Sequence, residues 1–189
     1  MLDACAAPGG KSFAAAIAMG GKGKIRSGDI HRHKTALIHN GAERMGLANI
    51  HVREQDATEN HPNWLGKMDV VLADVPCSGY GIIRKKPDIR YKDPKDMERL
   101  PDLQLKILDK QAEYVKPGGV LMYSTCTLVR RENEDVVNTF LAHRKDFCLE
   151  PLCLPAPLPE NHTGMLTLVP GQYDTDGFFI ARLRRKAEA

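Results

Sequence analysis

Residues 68–74 read Met-Asp-Val-Val-Leu-Ala-Asp, a nearly unbroken apolar run that ends in an acid. That pattern suits a central parallel strand buried on both faces. Such a strand needs crossover connections, and the rest of the chain supplies them. Strand-like and helix-like segments alternate, which predicts an α/β fold with helices on both faces of a sheet. Strands are expected at 2–6, 24–29, 49–53, 68–74, 120–124 and 178–183. Helices are expected at 12–19, 31–45, about 102–115 and 132–143. In the second helix Leu37, Ile38, Gly41, Ala42 and Met45 share a face. In the third, Leu103, Ile107, Leu108, Ala112 and Val115 point inward, and Pro101 separates it from a shorter helix. In the fourth, Val136, Val137, Phe140 and Leu141 form the inner face. Pro117-Gly118-Gly119 reads as a turn, and 151–170, with five of the twelve prolines, reads as irregular.

Composition narrows the class. At 189 residues, 42% hydrophobic and 27% charged, the chain fits one soluble domain over 1–189. Its longest small or apolar stretch, 13–21, is too short to cross a bilayer. Leu2-Asp3-Ala4-Cys5 after Met1 lacks a basic and apolar leader, so no secretory signal is expected. The cysteines at 5, 77, 126, 148 and 153 match no zinc spacing. Free thiols in a reducing cytoplasm follow. His31 and His33, two apart on a helix, do not share a face, and no metal is expected. A monomer is expected. The first strand begins almost at Met1, so the chain reads as one whose N-terminal portion has been removed.

The distinctive residues cluster at strand ends, where ligands bind in open α/β sheets. Cys5, Ala6, Ala7, Pro8, Gly9, Gly10 and Lys11 follow the first strand. Asp29 follows the second, Asp56 the third, and Asp74-Val75-Pro76-Cys77-Ser78-Gly79 the fourth. Ser124-Thr125-Cys126-Thr127 follows the fifth. Glycines permit close approach of backbone to ligand, and the next helix offers free N–H groups to an anion. Asp29 suits a ribose diol and Asp56 an exocyclic amine. Taken singly, Pro-Gly-Gly is a turn and a strand-end Asp a helix cap. All three at successive strand ends describe S-adenosylmethionine (SAM). Cys77 and Cys126 place two thiols at one rim. A lone cysteine there would be a small buried hydrophobe, and a disulfide is disfavoured in the cytoplasm. Cys148 and Cys153 are expected to pack, and Cys5 to contribute backbone only.

The segments LDACAAPGGK, SGDIHRHK, DVPCSGYG, KPGGVLMYSTCT, RRENEDVV and DGFFIARL resemble the Sun/Fmu branch of the Nop/Sun RNA (cytosine-5)-methyltransferases. They run in order from residue 2 to 184. The resemblance implies a class I SAM-dependent methyltransferase fold, Rossmann-like, with seven strands in the order 3-2-1-4-5-7-6 and one antiparallel. It implies methyl transfer to C5 of an RNA cytosine, with ribosomal small-subunit (16S) RNA as the expected partner. Relatives carry an N-terminal RNA-binding region that this chain is expected to lack.

The chemistry implied is covalent. A thiolate adds to cytosine C6, C5 becomes enamine-like, and the C5 proton and thiolate then leave. By resemblance Cys126 is the nucleophile, Cys77 assists release, and Asp74 binds the cytosine N3/N4 edge. Residues 5–11 with Asp29, Asp56 and Asp74 would hold SAM. Residues 84–92 contain Arg84, Lys85, Lys86, Arg90 and Lys92, five basic residues of nine. Such a run is often only a solvated face. Directly after the Pro-Cys motif it reads as a phosphate clamp, to which Arg130 and Arg131 add. Arg182, Arg184, Arg185 and Lys186 read as a solvated basic tail. The competing readings are an inactive SAM- or RNA-binding assembly factor, the same chemistry on transfer RNA, and a SAM enzyme acting on protein or a small molecule.

Overall fold

A computed structural model describes residues 1–158 and 160–187; Pro159, within the stretch expected to be irregular, lies outside the described residues. The order is β1 (Leu2–Asp3), α1 (Gly10–Ala18), β2 (Ile25–Asp29), α2 (Arg32–Arg44), β3 (Ile50–Glu54), β4 (Met68–Asp74), α3 (Pro94–Glu98), α4 (Leu100–Ala112), β5 (Val115–Thr125), α5 (Glu134–His143), β6 (Phe147–Leu149), β7 (Met165–Leu168) and β8 (Phe178–Arg185).

One sheet runs β3-β2-β1-β4-β5-β8-β6, with β7 also on β8. β1 lies parallel between β2 and β4, with Leu2 opposite Arg26 and Val71. The chain moves outward through β2 and β3, then returns to β4 and moves the other way. Right-handed crossovers in opposite directions put α1 and α2 on one face, α4 and α5 on the other. The reversal leaves a crevice at the carboxyl ends of β1 and β4.

β4 is central, as its sequence requires. Val71 and Ala73 are fully buried on one face; Val70 and Leu72 are half-buried on the other. The main core gathers Leu121, Tyr123, Val137, Phe140 and Phe179, all without exposure. Burying each such large apolar side chain contributes about 1.5–3 kcal/mol. The apolar stripe of α2 is narrower than expected: Ile38, Gly41 and Ala42 are buried, while Leu37 and Met45 are exposed. Ile107, Leu108, Ala112 and Val115 face inward, but Leu103 is exposed at the rim of a cavity. Pro101 stands in the first turn of α4, where its missing N–H costs nothing.

The sheet has eight strands rather than seven. Position six is one strand interrupted by a loop. β6 pairs the end of β8, with Leu149 opposite Leu183, and β7 resumes with Met165 opposite Ala181. Arg182 bridges the gap: its carbonyl accepts from Glu150 N–H at 3.0 Å and its N–H donates to Gly164 at 2.9 Å. Part of the stretch expected to be irregular is therefore β7. The expected basic tail is the end of β8: Arg182 and Arg184 pair with Glu150, and Arg185 with Asp146. Cys148 and Cys153 are exposed and do not pack as expected. Residues 117–119 form an irregularity within β5 rather than a turn before it, set against a register shift between Met68 and Val70.

Candidate active site

The loop after β1 is shaped by Gly9, whose φ of 112° lies in the left-handed region and whose Cβ would fall 2.4 Å from the Phe13 ring. Only glycine suits both constraints. Ala6 N–H donates to Gly28 O at 2.7 Å, tying the loop to β2. Cys5, Ala6, Ala7, Pro8, Gly10 and Lys11 line a cavity of about 320 Å³ with Asp3 and Asp74. A second, also about 320 Å³, shares Cys5 and is lined by Asp29, Ile30, Asp56, Ala57, Pro76 and Leu103. The expected cofactor residues thus meet at the crevice.

Each acid is fixed by its neighbours. Asp29 Oδ1 accepts from His31 N–H at 3.0 Å. Asp56 Oδ1 accepts from Thr58 N–H and Oγ1 at 2.7 and 2.8 Å. Asp74 Oδ2 meets Lys11 Nζ at 2.7 Å and Oδ1 accepts from Ser124 Oγ at 2.6 Å. Asp3 carries no role in the sequence reading, yet it lines the cavity. It is fully buried; Oδ2 accepts from Ser12 Oγ at 2.6 Å while Oδ1 has no partner. Burial, opposed by the Ser12 bond and reinforced by Asp74, pushes its carboxyl up to about 6. Burial also raises the Cys5 thiol far above the ordinary range, which suits a residue offering backbone rather than sulfur.

Cys77 and Cys126 do come together, with their Sγ atoms 3.1 Å apart. Cys126 N–H also donates to Cys77 Sγ at 3.2 Å. Either thiol can be the donor across the Sγ–Sγ contact. The Cys126 thiol is lowered, chiefly by its bond to Cys77, with burial and Asp74 opposing and Lys86 assisting. The Cys77 thiol moves up, first by its bond to Cys126 and then by burial. Such a contact lets one sulfur carry charge while the other keeps its proton.

The basic loop divides too. Arg84 and Lys85 pair with Asp176, almost fully buried, at 3.3 and 2.6 Å. Gly177 N–H donates to Gly81 O at 2.8 Å, and Gly81 N–H to Cys126 O at 3.0 Å. A Cβ on Gly81 would lie 2.1 Å from Gly177 O, so the two backbones touch. Lys92 Nζ donates to Ser78 O at 3.1 Å and Arg90 Nε to Pro87 O at 3.3 Å. Lys86 is exposed. Arg130 pairs with Asp135, and Arg131 is exposed. Asp176 escaped the sequence reading, although it stands at the head of the quoted DGFF segment.

Among the described residues, no group of three or more His, Cys, Asp or Glu is placed to hold a metal, and no helix is long and apolar enough to cross a membrane.

A family model described as 16S rRNA methyltransferase RsmB/F matches residues 1–184. A probable ribosomal RNA small subunit methyltransferase B of Bacillus subtilis is 46% identical over 98% of this chain. A ribosomal RNA small subunit methyltransferase F of Shewanella amazonensis is 36% identical over 99% of it. The chain spans 43% and 41% of those relatives' lengths. NSun6 from Pyrococcus horikoshii, solved with SFG, superposes with a TM-score of 0.82 at 28% identity, over 99% of this chain and 48% of that one.

Proposed function

Because the chain belongs to the 16S rRNA methyltransferase RsmB/F family, we propose that it transfers a methyl group from SAM to C5 of a cytosine in RNA, with 16S ribosomal RNA as the substrate. The observation that carries this reading is the pair of thiols 3.1 Å apart beside the strand-end cavities. The residues present fit the cofactor. Two cavities meet at Cys5, with a glycine-rich helix entry at one and two fixed carboxylates at the other. Asp29 would take the ribose diol, Asp56 the adenine amine, and residues 5–11 the amino-acid end. SAM supplies an electrophilic methyl group when bound.

The chain's own groups do the rest. Cys126 adds its sulfur to C6, and the π pair of the C5=C6 double bond moves toward C5. Asp74, held by Lys11 and Ser124, accepts from the cytosine N4 edge and orients the ring. Once C5 carries the methyl group, its proton passes to a solvent base, the C5=C6 double bond re-forms and the thiolate leaves C6. Cys77, with its thiol raised, holds a proton beside the departing sulfur and assists release. The target base must be extruded or single-stranded, because C6 is inaccessible within a stack. Lys86, Arg90 and Lys92, on the basic loop that follows Cys77, would contact the flanking phosphates.

Transfer of label from methyl-labelled SAM to a 16S RNA transcript, with bisulfite sequencing to locate 5-methylcytosine, tests the reading. Labelled cytosine C5 is expected. SAM binding without any transfer would favour an inactive assembly factor instead.

A further inference from the structure

The two cysteine loops are held by residues that touch neither sulfur. Glu132 and Asn133 lie between β5 and α5 and are at most 1% exposed. Glu132 Oε2 accepts from Ser78 N–H at 2.9 Å and from Gln104 Nε2 at 3.0 Å. Gln104 Nε2 also donates to Pro76 O at 2.9 Å. Both neighbours of Cys77 are therefore fixed through one carboxylate and one amide.

Asn133 does the same for Cys126. Its Oδ1 accepts from Thr125 Oγ1 at 2.6 Å and its Nδ2 donates to Thr127 O at 3.0 Å. Ser78 Oγ and Thr127 Oγ1, 2.7 Å apart, tie the two loops directly. Tyr123 OH donates to Glu132 O at 2.6 Å, so the clamp is anchored to β5 as well.

Resting on the reading above, we infer that Glu132 and Asn133 are positioning residues: they clamp the Pro-Cys-Ser loop against the Thr-Cys-Thr loop and so set the contact between Cys77 and Cys126. The ordinary alternative is a buried polar network that only stabilises the fold. The geometry argues for more. Four of the clamp's bonds go to the residues immediately flanking the two cysteines. A hydrogen bond between thiols is short-ranged, so a small parting of the loops removes it and leaves burial and Asp74 to raise the Cys126 thiol. The charged and titratable groups around Cys126 are Cys77 beyond β4, Asp74 at the end of β4, and Lys86 from the basic loop. The clamp alters the first without moving the other two.

The test is alkylation of Cys126 by iodoacetamide as a function of pH, followed by peptide mass spectrometry, with neither RNA nor SAM present. Wild type should show an inflection below the ~8.5 of a free thiol. Glu132→Ala should move it up, to the ~8.5 of a free thiol or above. Glu132→Gln, which keeps an oxygen for Ser78 N–H, should restore the wild-type profile. In methyl transfer, Glu132→Ala should lower kcat by roughly ten- to a hundredfold, the scale of a misplaced reacting group, with KM for SAM unchanged. If Glu132→Ala does not fold, Thr125→Val, which removes one bond to Asn133, should move the inflection in the same direction. An unmoved inflection in the folded variants overturns the inference, as does Glu132→Gln behaving like Glu132→Ala. A shifted inflection in a protein that transfers no methyl group would leave the clamp standing and refute the proposed reaction alone.

Discussion

Asp3→Asn tests the electrostatics of the cavity floor. The wild-type carboxyl is pushed from its usual 3.8 up to about 6 by burial, with Asp74 reinforcing and the Ser12 bond opposing. In the unfolded chain it ionises first, so between those values the folded state binds more protons. Stability from this group is present below about pH 4 and is lost as pH rises through about 6. The gap from 3.8 to about 6, at about 1.36 kcal/mol per unit, amounts to about 3 kcal/mol. Asparagine keeps an oxygen for Ser12 and cannot ionise. Its buried NH₂ would stand where Oδ1 has no partner, a fixed cost of about 1–3 kcal/mol. Urea unfolding of both proteins from pH 4 to 8 gives the difference directly, and the other titrating groups cancel. The stability of Asp3→Asn relative to wild type should rise by about 2 kcal/mol across that range, the remainder having been lost below pH 4, whatever its offset at pH 4. A difference flat with pH would refute the argument.

Other outcomes follow from the same geometry. Asp29→Ala should weaken SAM binding by about 1–3 kcal/mol in calorimetry, the cost of unpairing a buried polar partner; unchanged affinity removes the ribose assignment. Lys86→Ala and Arg90→Ala should each flatten the plot of log K for RNA against log salt by about 0.7 if each meets one single-strand phosphate. Asp176→Asn should steepen it, because Arg84 and Lys85 are then released to phosphate; an unchanged slope would show that their pairing has no bearing on RNA. Gly9→Ala should destabilise the fold by about 1–3 kcal/mol through its left-handed φ and the Phe13 ring, and a thermal melt equal to wild type would contradict that.

The alternation of strands and helices and the grouping of the candidate residues at strand ends were legible because they rest on local signals, whereas the strand order came only with the family resemblance. The apolar run of β4, the helical spacing of α4 and the acids at strand ends survive folding almost unchanged. What escaped the sequence depends on contacts between distant residues. β6 has three residues and β7 four, too few to show a period, and β7 sits in a proline-rich stretch. Leu37 and Met45 share the helical period of α2 but fall beside its narrow buried stripe. The arginines of β8 looked like a tail because their partners, Glu150 and Asp146, are over thirty residues away. Asp176 meets Lys85 only through the approach of two loops. Glu132 and Asn133 stood within the quoted RRENE segment, but their role appears only when Ser78 and Gln104 are brought to them.

The division of labour between the two sulfurs is tested most directly by trapping the covalent adduct. Cys77→Ala, incubated with SAM and a 16S RNA transcript and run on a denaturing gel, should give a slow protein–RNA band. Attack by Cys126 proceeds there while release stalls. Cys126→Ala should give no band and no methyl transfer. A band from Cys126→Ala and none from Cys77→Ala would reverse the roles and contradict the account.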